Sequence, residues 1–193
     1  YYSFAQIKKI KTSHMATITV KMAMTPVQQK VRKILKWFIR LNFLAILITL
    51  YLTYMHYKPE ASEICMLGET WNCDIVNKSP YAELFGVPVA IFGLIAYSFL
   101  FLAAIGLIRD IKFYKYLKFL RPIRLMWLMF AVIAVGVLFS GYLTYIELFV
   151  LEALCLFCVA QQVIIIIDIF MMLSVLSTID QGKKDNPNVC EFC

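Results

Sequence analysis

The stretch VPVAIFGLIAYSFLFLAAIGLI, residues 87–108, contains 22 consecutive residues without a charged side chain. A second uncharged stretch, Leu125 to Ile146, is also 22 residues long. A helix needs about 20 apolar residues to cross the hydrocarbon core of a bilayer. Both stretches are therefore predicted to be transmembrane helices.

Two further spans are predicted from shorter or interrupted apolar runs. Leu41 to Tyr57 follows Trp37 and Arg40, which suit the membrane interface, so this helix is predicted to begin a turn or two before Leu41. The last span runs from about Cys155 to Ser177 and is interrupted only by Gln161, Gln162 and Asp168. Of the 193 residues, 62% are hydrophobic and only 16% are charged. We therefore expect an all-α integral membrane four-helix bundle.

The distribution of basic residues predicts the orientation of these helices. Residues 1–40 carry nine Lys and Arg and no acid, and residues 109–124 carry six basic residues and one acid. Residues 58–86 instead hold five acids and two lysines. The connection between the last two spans contains the acids Glu147 and Glu152. The positive-inside rule then places both termini and residues 109–124 in the cytoplasm, and residues 58–86 and the connection with Glu147 and Glu152 outside. The net charge of +7 is thus explained by orientation, and no nucleic-acid partner is expected.

Three segments follow from this topology. Residues 1–33 are predicted to be a cytoplasmic basic segment, in which Ser13-His14-Met15 resembles a cloning remnant, so that residues 1–14 could be added sequence. Residues 34–179 are predicted to form the four-helix transmembrane domain, in which any catalytic residues are expected. Residues 180–193 form a cytoplasmic tail with a Cys-x-x-Cys pair, for which a sensor, a metal site and an incidental terminus all remain open.

Four of the six cysteines are expected at the outer surface, where dithiols can form disulfides and exchange them. Cys155 and Cys158 open the last helix, where the helix dipole favours a thiolate. A disulfide between them would close too short a loop to stabilise the fold much, which favours a redox role. Cys65 and Cys73 close a loop that could be either a structural staple or a mobile redox pair. Cys190 and Cys193 are expected inside.

These motifs, taken in order, resemble the vitamin K epoxide reductase family from about Trp37 to Ser177. The resemblance is carried by Cys65-x7-Cys73, by Ser79 six residues later, by the block from Phe85 to Gly93, and by Cys155-Leu156-Phe157-Cys158. Bacterial quinone-reducing proteins of another family also have four helices and two outer cysteine pairs. In that family the Cys-x-x-Cys lies in the first outer loop, whereas here it follows the second.

The resemblance implies a fold, a reaction and a set of roles. An outer loop with a half-helix cap would cover the bundle, and Cys65 would take electrons from a thioredoxin-like protein. Cys73 would form the mixed disulfide with Cys155, and Cys158 would pass electrons to a quinone of the menaquinone, ubiquinone or vitamin K type. Ser79 would contact the quinone, although it could instead cap a helix before Pro80. An apolar quinone pocket also needs aromatic walls, for which Phe92 and Phe157 are candidates, although any single one of the 15 Phe could instead face lipid or pack in the core.

The chain departs from vertebrate members of that family in two ways. Gln162 stands four residues after Cys158, where vertebrate members have tyrosine, and the first outer loop is shorter. The resemblance therefore implies a prokaryotic-type enzyme that supports disulfide formation in a multi-pass cell-membrane protein, with its active site on the outer face. Because no further domain follows before Cys193, the thioredoxin-like partner outside the cytoplasm is expected to be a separate protein; membrane lipid is the other expected partner.

A different class of function stays open on sequence alone. The outer cysteines could brace a membrane scaffold through structural disulfides, or they could bind a metal. Metal sites usually recruit histidine or carboxylates, and the chain has only His14 and His56. No metal is therefore expected.

Overall fold

The computed structural model describes residues 26–58, 71–109 and 122–185. Cys65, Cys190 and Cys193 lie outside these ranges, and so do residues 1–25. The described elements, in chain order, are α1 (Pro26–Tyr57), α2 (Cys73–Asn77), a 3-10 helix (Pro80–Ala82), β1 (Glu83–Leu84), β2 (Val87–Pro88), α3 (Val89–Ile108), α4 (Pro122–Phe149) and α5 (Leu156–Asp185).

Four of these helices, α1, α3, α4 and α5, are long and apolar enough to cross a membrane. The all-α membrane bundle predicted from the sequence is confirmed. The first helix was predicted to begin a turn or two before Leu41, and this prediction was wrong. Helix α1 begins at Pro26, about four turns before Leu41. Proline suits the first turn of a helix, and the Gln, Lys and Arg that follow are good helix formers.

The bundle is packed around α1, which contacts α3 on one side and α5 on the other, while α4 packs against α5. Small residues allow two of these close approaches. A Cβ atom added at Gly93 would lie 3.2 Å from Thr49, and one added at Gly136 would lie 2.5 Å from a methyl carbon of Ile165. Lipid-facing helices gain little from the hydrophobic effect against each other, so close packing at small residues matters more.

Asp168, which the sequence places near mid-bilayer, is fully buried and has a partner. The Asn42 side chain donates to its carboxyl oxygen Oδ2 at 3.1 Å and to the Phe38 carbonyl at 2.9 Å. One turn further along α1, the Ala45 carbonyl accepts a hydrogen bond from Gln161 at 2.9 Å. Such bonds between membrane helices average only about 0.6 kcal/mol. They therefore fix which faces of α1 and α5 meet more than they stabilise the bundle.

A cap covers the end of the bundle where α1 ends. The short helix α2 is capped by Asn72, whose side-chain oxygen accepts from the backbone N–H groups of Asp74 and Ile75. His56 at the end of α1 holds the cap through the Asn77 carbonyl, 2.7 Å from Nδ1, and its Nε2 lies 3.3 Å from Glu83. Strands β1 and β2 then form a small antiparallel hairpin that leads into α3.

The hairpin turn places two consecutive residues in the left-handed region, Phe85 with φ 56° and Gly86 with φ 76°. Two positive φ values in a two-residue loop are the requirement of a type I′ turn, which matches the twist of the flanking strands. Glycine adopts this conformation without steric cost, whereas Phe85 does not. The turn and strand β2 therefore lie within the Phe85–Gly93 block that the sequence singles out, whereas β1 directly precedes that block.

Candidate active site

The connection from α4 to α5 positions Cys155. After α4 ends at Phe149, Glu152 takes a left-handed conformation with φ 50°, and the Ala153 N–H donates to the Glu147 carbonyl at 3.2 Å. Leu154 then pairs with Trp71 of the cap in an isolated β-bridge. This bridge brings the residue before Cys155 alongside the segment that leads into Cys73.

Cys73 and Cys155 meet as a result. Their sulfur atoms are 3.1 Å apart, and both side chains are buried. Cys73 is disulfide-bonded, whereas Cys155 and Cys158 are free thiols. A free thiol held beside a disulfide sulfur is the arrangement from which thiol–disulfide exchange proceeds. Of the four cysteines singled out from the sequence, three therefore lie in one cluster, and Cys65 lies outside the described residues.

The surroundings of Cys155 stabilise its thiolate. The side chain of Cys158 donates a hydrogen bond to its sulfur, and the backbone N–H groups of Cys158, at 3.4 Å, and of Phe157 also point to it. These hydrogen bonds lower the pKa of Cys155 below its ordinary value, despite its burial and the nearby negative charge of Glu147. Cys155 lies directly before the first residue of α5, where helix N–H groups are unpaired.

Removing the Cys158 thiol is expected to raise the pKa of Cys155. In a protein with Cys65, Cys73, Cys190 and Cys193 changed to alanine, Cys158→Ala removes the donor, whereas Cys158→Ser keeps one. A thiolate with a lowered pKa persists as the pH falls and is lost only below that pKa. The ultraviolet thiolate absorbance of the alanine variant should thus disappear at a higher pH than that of the serine variant. Identical titrations would show that the Cys158 side chain does not stabilise the thiolate.

A cavity of about 580 Å³ lies beneath the cap, between the four long helices. Cys158 lines it and Cys155 does not. The walls are mainly apolar, which is typical of sites for small organic ligands, and the volume falls within their usual range of about 300–1,000 Å³. A few polar side chains also face the cavity, namely Thr49, Asn77, Ser79, Ser140, Thr144, Glu147 and Gln161.

The three candidate quinone contacts from the sequence are placed differently from one another. Ser79 lines the cavity, and its hydroxyl donates to the Val76 carbonyl at 2.8 Å instead of capping the 3-10 helix that it precedes. Phe92 also lines the cavity. The ring of Phe157 instead packs against Tyr51, with ring centres 4.9 Å apart. Consecutive helical residues point about 100° apart, so Phe157 faces away from the cavity that its neighbour Cys158 lines.

Two polar residues of the site were not singled out from the sequence. Glu147 is 4% exposed, and its carboxyl oxygen Oε2 accepts from the Cys155 N–H at 3.3 Å. Gln161 lies one turn after Cys158, and its oxygen has no hydrogen-bond partner among the described residues. Sequence reasoning counted Glu147 only as an acid of an outer connection. Its position directly after 22 uncharged residues was the available signal that it belongs to a buried helix end.

Two comparisons bear on this site. The family model for the vitamin K epoxide reductase family matches residues 36–173, which include Cys65, Cys73, Cys155 and Cys158. No curated protein matches the chain in sequence. Among residues 26–58, 71–109 and 122–185, no three His, Cys, Asp or Glu side chains are grouped so that they could hold a metal ion.

Proposed function

The chain belongs to the vitamin K epoxide reductase family, and from this we propose that it oxidises a thioredoxin-like protein and reduces a membrane quinone. Family membership and the four membrane-spanning candidates establish a membrane redox enzyme in general. The proposal adds the quinone, the protein donor and the route of the electrons between them. Its physiological outcome is the supply of disulfides to proteins outside the cytoplasm.

The observation that carries the proposal is the placement of the two sulfurs of the Cys-x-x-Cys. Cys155 lies 3.1 Å from the sulfur of Cys73, on the cap side, whereas Cys158 lines the cavity. One cysteine of the pair is therefore placed for exchange with a protein disulfide, and the other for contact with a ligand from the bilayer. A purely structural disulfide would require neither a free thiol at Cys155 nor a cavity at Cys158.

The proposed relay consists of disulfide exchanges followed by one oxidation. The donor dithiol reduces the Cys65–Cys73 disulfide, and Cys73 then attacks the Cys155–Cys158 disulfide at Cys155. Attack by Cys65 on this mixed disulfide restores Cys65–Cys73 and leaves Cys155 and Cys158 as thiols. These two lose two electrons and two protons to the quinone, which becomes a quinol, and the Cys155–Cys158 disulfide forms again.

The cavity supports the assignment of a quinone as the acceptor. A quinone ring is flat and apolar with two carbonyl oxygens, so it needs apolar walls and few hydrogen-bonding groups. Phe92 supplies an aromatic wall, and Ser79 and Asn77 place polar atoms at the cap side of the cavity. The oxygen of Gln161 could accept a hydrogen bond from the O–H group of the quinol product.

Charge along the described helices supports an outer active site. Gly182 near the end of α5 packs against Val27 near the start of α1, so these two ends lie together. The four long helices, α1, α3, α4 and α5, alternate in direction. The end of α3 and the start of α4 therefore lie at that same end of the bundle. This end carries most basic residues of the described chain, which are Lys30, Arg32, Lys33, Lys36, Arg40, Arg109, Arg124, Lys183 and Lys184. By the positive-inside rule it faces the cytoplasm, and the cap with its thiols faces outward.

Anaerobic quinone reduction by the purified wild-type protein tests the proposal. The protein in detergent is mixed with dithiothreitol and a soluble short-chain ubiquinone, and quinol formation is followed by absorbance. We expect quinol formation well above the rate with dithiothreitol alone. If the protein adds nothing to that background rate, the proposed quinone reductase function fails, and the structural-disulfide interpretation takes its place.

A further inference from the structure

We propose that Glu147 is a catalytic residue that carries the proton of the Cys158 thiol to the quinone. This inference rests on the proposed function and adds a residue to it. The carboxyl group of Glu147 accepts a hydrogen bond from the backbone of Cys155, and Glu147 lines the cavity that Cys158 also lines. It therefore lies beside the pair of cysteines that react.

The geometry at Glu147 places this residue beside Cys155 and at the wall of the cavity. One oxygen accepts from the Cys155 N–H at 3.3 Å, which orients the group. The residue lines the same cavity as Cys158. A group that transfers a proton must reach both the atom that releases it and the atom that receives it. Glu147 shares a cavity wall with Cys158, which releases the proton, and borders the space that the quinone oxygen would occupy.

The electrostatic surroundings of Glu147 are unusual for a structural acid. It is 4% exposed, and none of the basic side chains in the described ranges forms an ion pair with it. Burying a carboxyl group without a basic partner is costly, and an apolar residue there would fill the helix end more favourably. The titratable groups in electrostatic contact with it are the thiols of Cys155 and Cys158. A buried acid that faces only reacting thiols is suited to proton transfer.

The proton balance of quinone reduction shows what Glu147 would contribute. Oxidation begins with Cys155 as a thiolate and Cys158 as a thiol, and it ends with one S–S bond. The S–H bond of Cys158 breaks, two electrons pass to the quinone, and the quinone takes up two protons. Glu147 accepts the Cys158 proton as the S–S bond forms and donates it to a quinone oxygen. The second proton, which Cys155 released when it ionised, returns from water.

Glu147→Gln tests this role because glutamine keeps the shape and the acceptor oxygen for the Cys155 N–H but cannot carry the proton. We expect quinone reduction driven by dithiothreitol at neutral pH to fall by about 10²-fold or more. The defect should shrink as the pH rises, because hydroxide can then remove the thiol proton. Glu147→Asp should recover part of the rate.

Glu152→Gln is the matched control, since Glu152 is exposed and lies in the connection after α4, five residues beyond Glu147. It should behave as wild type at every pH. A Glu147→Gln variant with wild-type activity would overturn the inference while leaving the quinone reductase function intact. So would a loss that is equal at all pH values, because it would indicate a structural role. If the wild-type protein itself reduces no quinone, the proposed function fails first and the inference falls with it.

Discussion

Cys158→Ala is expected to lower quinone reduction by at least about 10³-fold, even when dithiothreitol supplies electrons in excess. Cys158 is the only cysteine of the described residues that lines the 580 Å³ cavity. Without it, Cys155 can pair only with Cys73 on the cap side, and none of the described thiols lines the cavity where the quinone would be reduced. The residual rate should equal the background reaction of dithiothreitol with the quinone. The measurement is anaerobic quinol formation by purified protein in detergent.

The double variant Cys190→Ala/Cys193→Ala is the control for Cys158→Ala. It removes the other Cys-x-x-Cys of the chain, which lies outside the described residues, and should retain the wild-type rate. If the tail variant lost activity and Cys158→Ala kept it, the site beneath the cap would not be the centre that reduces the quinone. The pair of variants therefore tests which of the two similar motifs does the chemistry.

The membrane fold followed from sequence because its cause is local. Twenty-two uncharged residues must leave water, and a helix is the one structure that satisfies their backbone within a bilayer. The start of α1 was not predictable in this way. Residues 26–40 contain five basic residues, so they do not look like a membrane span, yet apolar residues at helical spacing, Val31, Leu35 and Phe38, are buried and continue the helix before the apolar run.

The cavity and its polar residues depended on contacts between distant parts of the chain. The spacing of Cys155 and Cys158 indicated a redox pair, and only the family resemblance assigned Cys73 to Cys155. In the fold, the bridge between Trp71 and Leu154 brings Cys155 beside Cys73. Phe157 looked equivalent to Phe92 as an aromatic wall. Phe157 precedes Cys158 by one residue, a rotation of about 100° around the helix, so its ring faces Tyr51 and not the cavity. The sequence alone did not show which side of the helix faces the cavity.

Glu147 illustrates a different limit of sequence reasoning. An acid next to an apolar stretch is expected to mark the end of the membrane span and to lie in water. Glu147 was therefore assigned, with Glu152, to an outer connection. The structure separates the two, because α4 continues through Glu147 to Phe149 and the chain turns back at Glu152. One glutamate is consequently buried beside the thiols and the other is exposed.

Cys65→Ala is expected to affect the reaction with a protein electron donor but not the reaction with dithiothreitol. Oxidation of a reduced thioredoxin-like protein should fall by at least about 10³-fold, because that donor is too large to reach the buried sulfur of Cys155 and must exchange through Cys65. Dithiothreitol is small, and it can reduce the disulfides that Cys155 forms. Quinone reduction with this donor should therefore stay close to the wild-type rate.

The double variant Cys65→Ala/Cys73→Ala extends this comparison to the sulfur that contacts Cys155. This variant should also lose oxidation of the protein donor and keep quinone reduction with dithiothreitol, since removal of the Cys73 side chain opens the cap side of Cys155. Equal losses with both donors in either variant would contradict the relay, because they would mean that Cys65 and Cys73 support the fold of the site and do not carry electrons to it. A preserved rate with dithiothreitol, together with a lost rate with the protein donor, follows only if the cap cysteines act before Cys155 and Cys158 in the sequence of exchanges.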